Sequence, residues 1–163
     1  MIAKLHASDI DRVVDMIRQA NQLVADQFGI TADNNPKHPS LYTNDWLLDD
    51  LSRGEEYFVY KHNDIPVACV AFEHPRPDAA YLNRLSVLPS HQQQGIGKAL
   101  VEYIAAYAQE KKIRSISIGI IAEHSVLKDW YIKLGFEEGV TKTFGHLPFD
   151  VTYLRLTLTG ESV

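Results

Sequence analysis

The 163-residue chain carries 16 Lys and Arg against 21 Asp and Glu, a formal charge of −5, with 45% hydrophobic and 23% charged residues. That is the length and composition of one globular domain, and an acidic balance with no basic block argues against a nucleic-acid partner and leans toward a cationic substrate. Cys69 stands alone in an apolar run, which excludes a disulfide framework and a thiolate metal site, and no apolar run approaches the roughly 20 residues of a membrane helix.

The start, Met1-Ile2-Ala3-Lys4-Leu5-His6, reads as a short strand reaching a capping signal too soon for a secretory leader, so the cytoplasm is the expected compartment. Ser8 or Asp9 is expected to cap a helix carrying Ile10, Val13, Val14 and Ile17 on one face. Thr31 to Thr43, with two prolines and two consecutive asparagines, reads as irregular loop. A second helix carries Trp46, Leu47, Leu48 and Leu51, with Gly54 just past its end. Strands are expected over Glu56 to Lys61 and Pro66 to Glu73, joined through His62-Asn63-Asp64 as a hairpin. Pro75-Arg76-Pro77-Asp78 reads as a turn and Tyr81 to Leu88 as the next strand. From Gly95 the period changes: Ile96, Ala99, Leu100, Tyr103, Ile104 and Tyr107 recur at helical spacing. The β-branched run Ser115 to Ile121 is a buried strand. A helix with Leu127, Trp130, Tyr131 and Leu134 follows, stopped by Gly135, and strands near Glu137 to Thr143 and Val151 to Leu158 close the chain. This order predicts an α/β fold with a mixed sheet.

The informative feature is the junction Leu88-Pro89, a polar turn, then Gly95-Ile96-Gly97 opening a helix. A helix N-terminus offers about four unpaired N–H groups and a partial positive charge, which together suit an anion. Glycines there allow close approach of a pyrophosphate, and Lys98 adds a charge. A dinucleotide fingerprint would need glycine where Leu100 stands, and a P-loop would need Ser or Thr where Ala99 follows Lys98. A plain glycine-bearing helix start with no ligand is the remaining alternative.

Gln92-x-x-Gly95-x-Gly97 after Leu85-Ser86-Val87-Leu88-Pro89, followed about 30 residues later by Tyr131-Ile132-Lys133-Leu134-Gly135-Phe136, resembles the GNAT acetyltransferase superfamily, as does the element order along the whole chain. The resemblance implies a single GNAT-like domain over residues 1–163: a mixed, mostly antiparallel sheet of about six or seven strands, flanked by about four helices and splayed between its fourth and fifth strands. It implies acetyl-CoA as co-substrate. Leu85, Ser86 and Val87 would pair with the pantetheine arm, and Gln92, Gln93, Gln94, Gly95, Ile96, Gly97 and Lys98 would hold the pyrophosphate. His124, Leu127, Trp130 and Tyr131 would lie beside the cofactor. Tyr131 matches the family's usual general acid, although it shares a face with Leu127, Trp130 and Leu134 and reads equally as a core aromatic.

Two positions depart from the family pattern. His124 stands where an Asn touching the cofactor is frequent, and Asn83 stands where a strand Glu commonly serves as base. An amide takes no proton, so deprotonation falls to ordered water or to Glu73, which also reads as a surface carboxylate; His74 and His146 are further candidates. Phe28, Tyr42 and Trp46, together with Asn83, are placed at the acceptor pocket, though the three aromatics could equally pack on the sheet. The seven histidines show no tight ligand spacing, so no metal is expected. The expected activity is transfer of an acetyl group to a primary amine of a small molecule or peptide by direct attack. The alternative is a domain that binds coenzyme A without turnover. Neither a nucleic acid nor a membrane is expected as partner, and a homodimer is left open.

Overall fold

Val13, Val14 and Ile17 repeat at helical spacing along Ile10–Phe28 (α1) and turn one fully buried stripe onto a sheet. The structure, a computed structural model, describes residues 1–158; the single domain is expected over 1–163, and residues 159–163 lie outside the described residues. Gly29, in the left-handed region at φ 65°, ends α1 and its N–H returns to the Ala25 carbonyl. The cap expected from Ser8 or Asp9 is not made. His6 instead accepts from the Ser8 N–H over a short turn, while Asp9 is drawn off to Lys61 at 2.6 Å.

Seven strands form one sheet: Ile2–Lys4 (β1), Glu56–His62 (β2), Ile65–Arg76 (β3), Ala79–Val87 (β4), Ser115–Ile121 (β5), Glu137–Lys142 (β6) and Val151–Thr157 (β7). Their spatial order is β1-β2-β3-β4-β5-β7-β6, antiparallel throughout except for the parallel pair β4–β5. Strand alternation assigns the two faces. Tyr57, Val59, Cys69 and Ala71 meet α1 and Asn44–Ser52 (α2) on one side. Phe58, Val70, Phe72 and Leu82 meet Ile96–Glu110 (α3) and Ser125–Lys133 (α4) on the other. The mixed, mostly antiparallel sheet with four helices is the expected fold. The largest boundary shift is at the β3–β4 turn: β3 runs through Pro75 and Arg76 and β4 begins at Ala79, because Arg76 pairs with Ala79 and leaves only Pro77-Asp78 for the turn.

The β4–β5 pair decides what the fold can hold. It is zipped only at Ala79–Ser115, Ala80–Ile116 and Tyr81–Ser117. Beyond those residues β5 stays fully paired to β7, while β4 from Leu82 to Val87 keeps its β3 partner alone. The splay expected between the fourth and fifth strands is therefore present.

β4 carries an extra residue at the same place. Asn83 pairs with Ala71 and Ser86 with Cys69, so two residues oppose one, and Arg84 takes φ 50°, which is costly for a side chain with a Cβ. The bulge sends Arg84 to the α1 face, where its guanidinium meets Glu55, lies 3.5 Å from Asp50, and donates from Nε to the Tyr57 hydroxyl at 2.7 Å. The Ser86 hydroxyl donates back to the Arg84 carbonyl at 3.1 Å and accepts from Asn21 of α1, which pins the bulge to the helix. Burial works against the Arg84 charge, but Tyr57, Glu55 and Asp50 outweigh it and raise its pKa. Removing one partner of a buried ion pair leaves an uncompensated charge, a loss of about 3–5 kcal/mol. Arg84→Ala is expected to fall by that amount in urea unfolding. A loss under about 1 kcal/mol, the worth of a surface pair, would show that the cluster is not what holds the bulge.

Candidate active site

The polar turn after β4 folds into a short 3-10 turn at Pro89–His91 and then swings into α3. Gln92 ties the turn to the strand it leaves, its Nε2 donating to the Val87 carbonyl at 3.1 Å. Gln93 and Gly95 both lie in the left-handed region, at φ 62° and 83°. Gly95 is the N-cap of α3 and no side chain caps that end. Among the described residues, the main-chain N–H groups from Gln93 to Lys98 meet no protein acceptor, and Gln93, Gln94, Gly95 and Lys98 are exposed. A run of unpaired donors at the positive end of a 15-residue helix fits the pyrophosphate of coenzyme A.

The two glycines differ in what they do. At Gly95 an added Cβ would meet nothing within 4 Å, so the glycine is required by its φ alone. At Gly97 an added Cβ would press on Trp130, 3.3 Å from Cζ2, with Val87 next at 3.8 Å. Gly97 therefore answers to packing as well as to the close ligand approach expected of it. Its missing side chain lets α3, α4 and the end of β4 close on one another, which brings the glycine motif and the tyrosine motif together.

Tyr131 follows Trp130 on α4, its ring 4% exposed and set edge-on to Trp130 and Phe136 at 4.9 and 5.2 Å. Its hydroxyl bonds to no protein group among the described residues, yet no buried side-chain polar atom there lacks a partner. The oxygen therefore lies where the buried ring meets accessible space. Burial pushes its pKa up, so it stays protonated at neutral pH. Leu127 and Trp130 are half-buried on the same helix.

Other expected positions sort differently. Leu85 and Val87 lean toward the α3 face, whereas Ser86 is 3% exposed and faces α1. His124 accepts from the Leu127 N–H, capping α4, and its ring lies 5.3 Å from Phe28 with its pKa lowered by burial. It is occupied as a cap and as a cover for the end of α1. Phe28 joins Ile121 and Phe149 in a small cluster beyond the end of β5. Tyr42 and Trp46 belong to the separate α1–α2 core, set edge-on at 5.5 Å. Tyr42 is 4% exposed, with its hydroxyl bonded to Asp50 and, at 2.6 Å, to Tyr57, so it lines no opening. His74 packs near Phe72 on the α3 side, and His146 is exposed beside Phe144 in the last loop.

Asn83 and Glu73 lie on the α1 face. Glu73 pairs in register with Tyr81, in the last zipped row before the split, and its Oε1 accepts from Asn83 at 3.0 Å. The Asn83 amide also donates to Glu55 at 2.9 Å, so its nitrogen is committed to two carboxylates rather than free for a substrate. Burial raises the Glu55 pKa, against the pull of Arg84 and Asn83. Asp50, Glu55, Tyr57 and Arg84 are not among the residues expected at the site. One signal was available: strict alternation after Leu82 would aim the Arg84 charge into the apolar α3 face, so Arg84 itself called for a bulge. On the same face the sheet continues into a depression of about 240 Å³ bordered by Ser117, Glu137, Tyr153 and Arg155. Among the described residues no group of three or more His, Cys, Asp or Glu is placed to hold a metal ion, and no helix is long and apolar enough to cross a membrane.

A parallel pair that opens over a helix start lined with free amides defines an α/β scaffold able to hold an extended, phosphate-bearing ligand. The family model described as Acetyltransferase (GNAT) domain matches residues 53–138, just over half of the chain. Solved structures agree in fold. The ribosomal-protein-S18-alanine N-acetyltransferase from Escherichia coli aligns at 17% identity and TM-score 0.76, over 97% of this chain and 93% of its own. A ribosomal-protein-alanine N-acetyltransferase from Brucella melitensis aligns at 19% and 0.72, over 97% and 99%. The PaiA N-acetyltransferase from Thermoplasma acidophilum, solved in complex with coenzyme A, aligns at 18% and 0.80, over 96% and 98%. The chain belongs to the GNAT acetyltransferase family, whose acyl donor is acetyl-CoA.

The glycine assignments are separable. Gly95→Ala forces a left-handed alanine, costing about 1–2 kcal/mol in thermal or urea unfolding. Gly97→Ala overpacks against Trp130, costing about 1–3 kcal/mol. Trp130→Phe, which lacks the offending ring edge, is expected to restore the Gly97→Ala protein and leave Gly95→Ala unrepaired. Failure to restore it would return Gly97 to a ligand-clearance role.

Proposed function

We propose that the chain is an N-acetyltransferase that moves the acetyl group of acetyl-CoA to a primary amine. The observation that carries this reading is the open edge of β4 from Leu82 to Val87, ending in the turn with unpaired amides. Acetyl-CoA supplies an activated acetyl group. In this reading the β4 edge accepts the pantetheine arm as a surrogate strand, with Leu85, Ser86 and Val87 as its backbone partners. The amides of Gln93 to Lys98 bind the pyrophosphate, and Leu127 and Trp130 flank the arm.

Tyr131 and Glu73 stand on opposite faces of the sheet, with the split between them. That arrangement supports an acid on one side and a base on the other. The amine nitrogen bonds to the thioester carbonyl carbon and the carbon–sulfur bond breaks. Tyr131 gives its hydroxyl proton to the departing sulfur. The entering ammonium gives one proton to Glu73 before attack, and the second, lost once the carbon–nitrogen bond has formed, returns through solvent to the Tyr131 phenolate. An amine enters as a cation of pKa near 10, so it needs such an acceptor before it can attack. Glu73, half-buried and in no ion pair among the described residues, suits that cation. A coenzyme A-binding domain without turnover is the alternative that Asn83, standing where a carboxylate is common, would support. Glu73, joined to Asn83, restores a carboxylate to the row and favours the enzyme.

Three amines test the reading: spermidine, a peptide beginning with alanine, and an amino-blocked peptide containing lysine. Release of free thiol from acetyl-CoA with at least one is expected; none with any of them contradicts it. With the amine turned over fastest, Tyr131→Phe is expected to lower kcat by about 100- to 10,000-fold at unchanged acetyl-CoA Kd. A variant keeping more than half the rate would make Tyr131 a core aromatic only.

A further inference from the structure

An amide nitrogen has two protons, and Asn83 spends both on carboxylates: one on Glu55 Oε2 at 2.9 Å and one on Glu73 Oε1 at 3.0 Å. The other oxygen of Glu55 accepts from Arg84 Nη2. Arg84 Nε donates to the Tyr57 hydroxyl, and that hydroxyl donates to Asp50 at 2.7 Å. A continuous series therefore runs from α2 through β2 and the β4 bulge to the end of β3. Along it the groups go from fully enclosed, with Glu55 5% exposed, to half-exposed at Glu73.

A clamp for the bulge needs only Arg84, Glu55 and Asp50. The bond from Asn83 to Glu73 lies outside that clamp, because Glu73 is half-buried and bonds to none of Arg84, Glu55 and Asp50. What the bond does is fix one oxygen of Glu73. The second oxygen accepts from no protein group among the described residues, so fixing the first aims the second. Tyr81 and Asn83 from β4, Glu55 and Tyr57 from the β2 side, and Arg84 and Asp50 behind them are the polar groups gathered here. No cation among them touches Glu73, so a cationic acceptor meets no competing ion pair at that oxygen.

We infer that Asn83 and Glu55 are positioning residues that aim the Glu73 carboxylate at the acceptor nitrogen. This rests on the reading that Glu73 takes the acceptor's proton. It assigns Asn83 a part in catalysis that an amide can perform: it orients the carboxylate on the neighbouring strand. Misdirecting a reacting group by about an ångström costs on the order of 100-fold in rate.

A double-mutant cycle tests it, using whichever of spermidine, the alanyl peptide or the lysyl peptide the wild type acetylates fastest. Asn83→Ala is expected to lower kcat about 10- to 100-fold with the acetyl-CoA Kd unchanged within about twofold. In the Glu73→Gln background the same substitution is expected to change kcat less than about twofold, because there is no carboxylate left to aim. Where Asn83→Ala melts below the assay temperature, Asn83→Ser takes its place, since serine is too short to bridge the two carboxylates. Equal losses in both backgrounds overturn the inference and leave Glu73 as base. A Glu73→Gln protein with wild-type kcat, or a wild type that acetylates none of the three amines, overturns both.

Discussion

Three residue pairs hold β4 to β5, and the missing pairs beyond Tyr81–Ser117 are the constraint on which the site depends. An unpaired strand edge inside a sheet exposes main-chain donors and acceptors that must find partners elsewhere. Here the edge is flanked by a helix start with further unpaired amides, by Trp130 closing on Gly97, and by the buried ring of Tyr131. The opening also joins the two faces of the sheet. A group entering along α1 and a group lying along α3 can meet only through it. The acid and base proposed for the reaction come from opposite layers for this reason.

Keeping that opening is expensive, and the cost is visible in the bulge. Arg84 sits at φ 50° with its guanidinium largely out of water, facing Asp50, Glu55 and Tyr57. Buried ion pairs roughly break even against an apolar core, so their value lies in specifying one arrangement. Here they specify the bulge, which lies just past the last β4–β5 pair. Tyr42, expected near an acceptor, turns out to be part of this support through Asp50. The same network extends through Asn83 to Glu73, linking the device that opens the sheet to the carboxylate at its edge.

Much of this was legible in the sequence. Period-2 and period-3.6 patterns located the central strands and all four helices among the described residues, since each of these buries one face and the burial writes the pattern; β6, exposed along its whole length, carries no such mark. Gly95 and Gly97 marked the helix start, although spacing alone could not say that one answers to a dihedral angle and the other to an indole. The caps were harder. His6, His38 and His124 all accept from backbone N–H groups, a role more often read from Ser, Thr, Asp or Asn. The Asp50–Glu55–Arg84 cluster joins residues far apart along the chain, and pairwise charge contacts between strands leave no periodic trace. Only Arg84, out of phase with its strand, announced it. The aromatics expected at the acceptor pocket do not gather in one place: Phe28 and Tyr42 are near in sequence, but helix α1 and the loop after it carry them to different clusters.

Amide hydrogen exchange with and without acetyl-CoA tests the central claim most directly, because it reads the backbone edge itself rather than turnover. The account predicts slowed exchange in two segments, Leu82–Val87 and Gln93–Lys98, with the zipped pairs Ala79–Tyr81 unchanged. Unaltered exchange in both segments, or protection confined to the depression between Ser117 and Arg155, would contradict it.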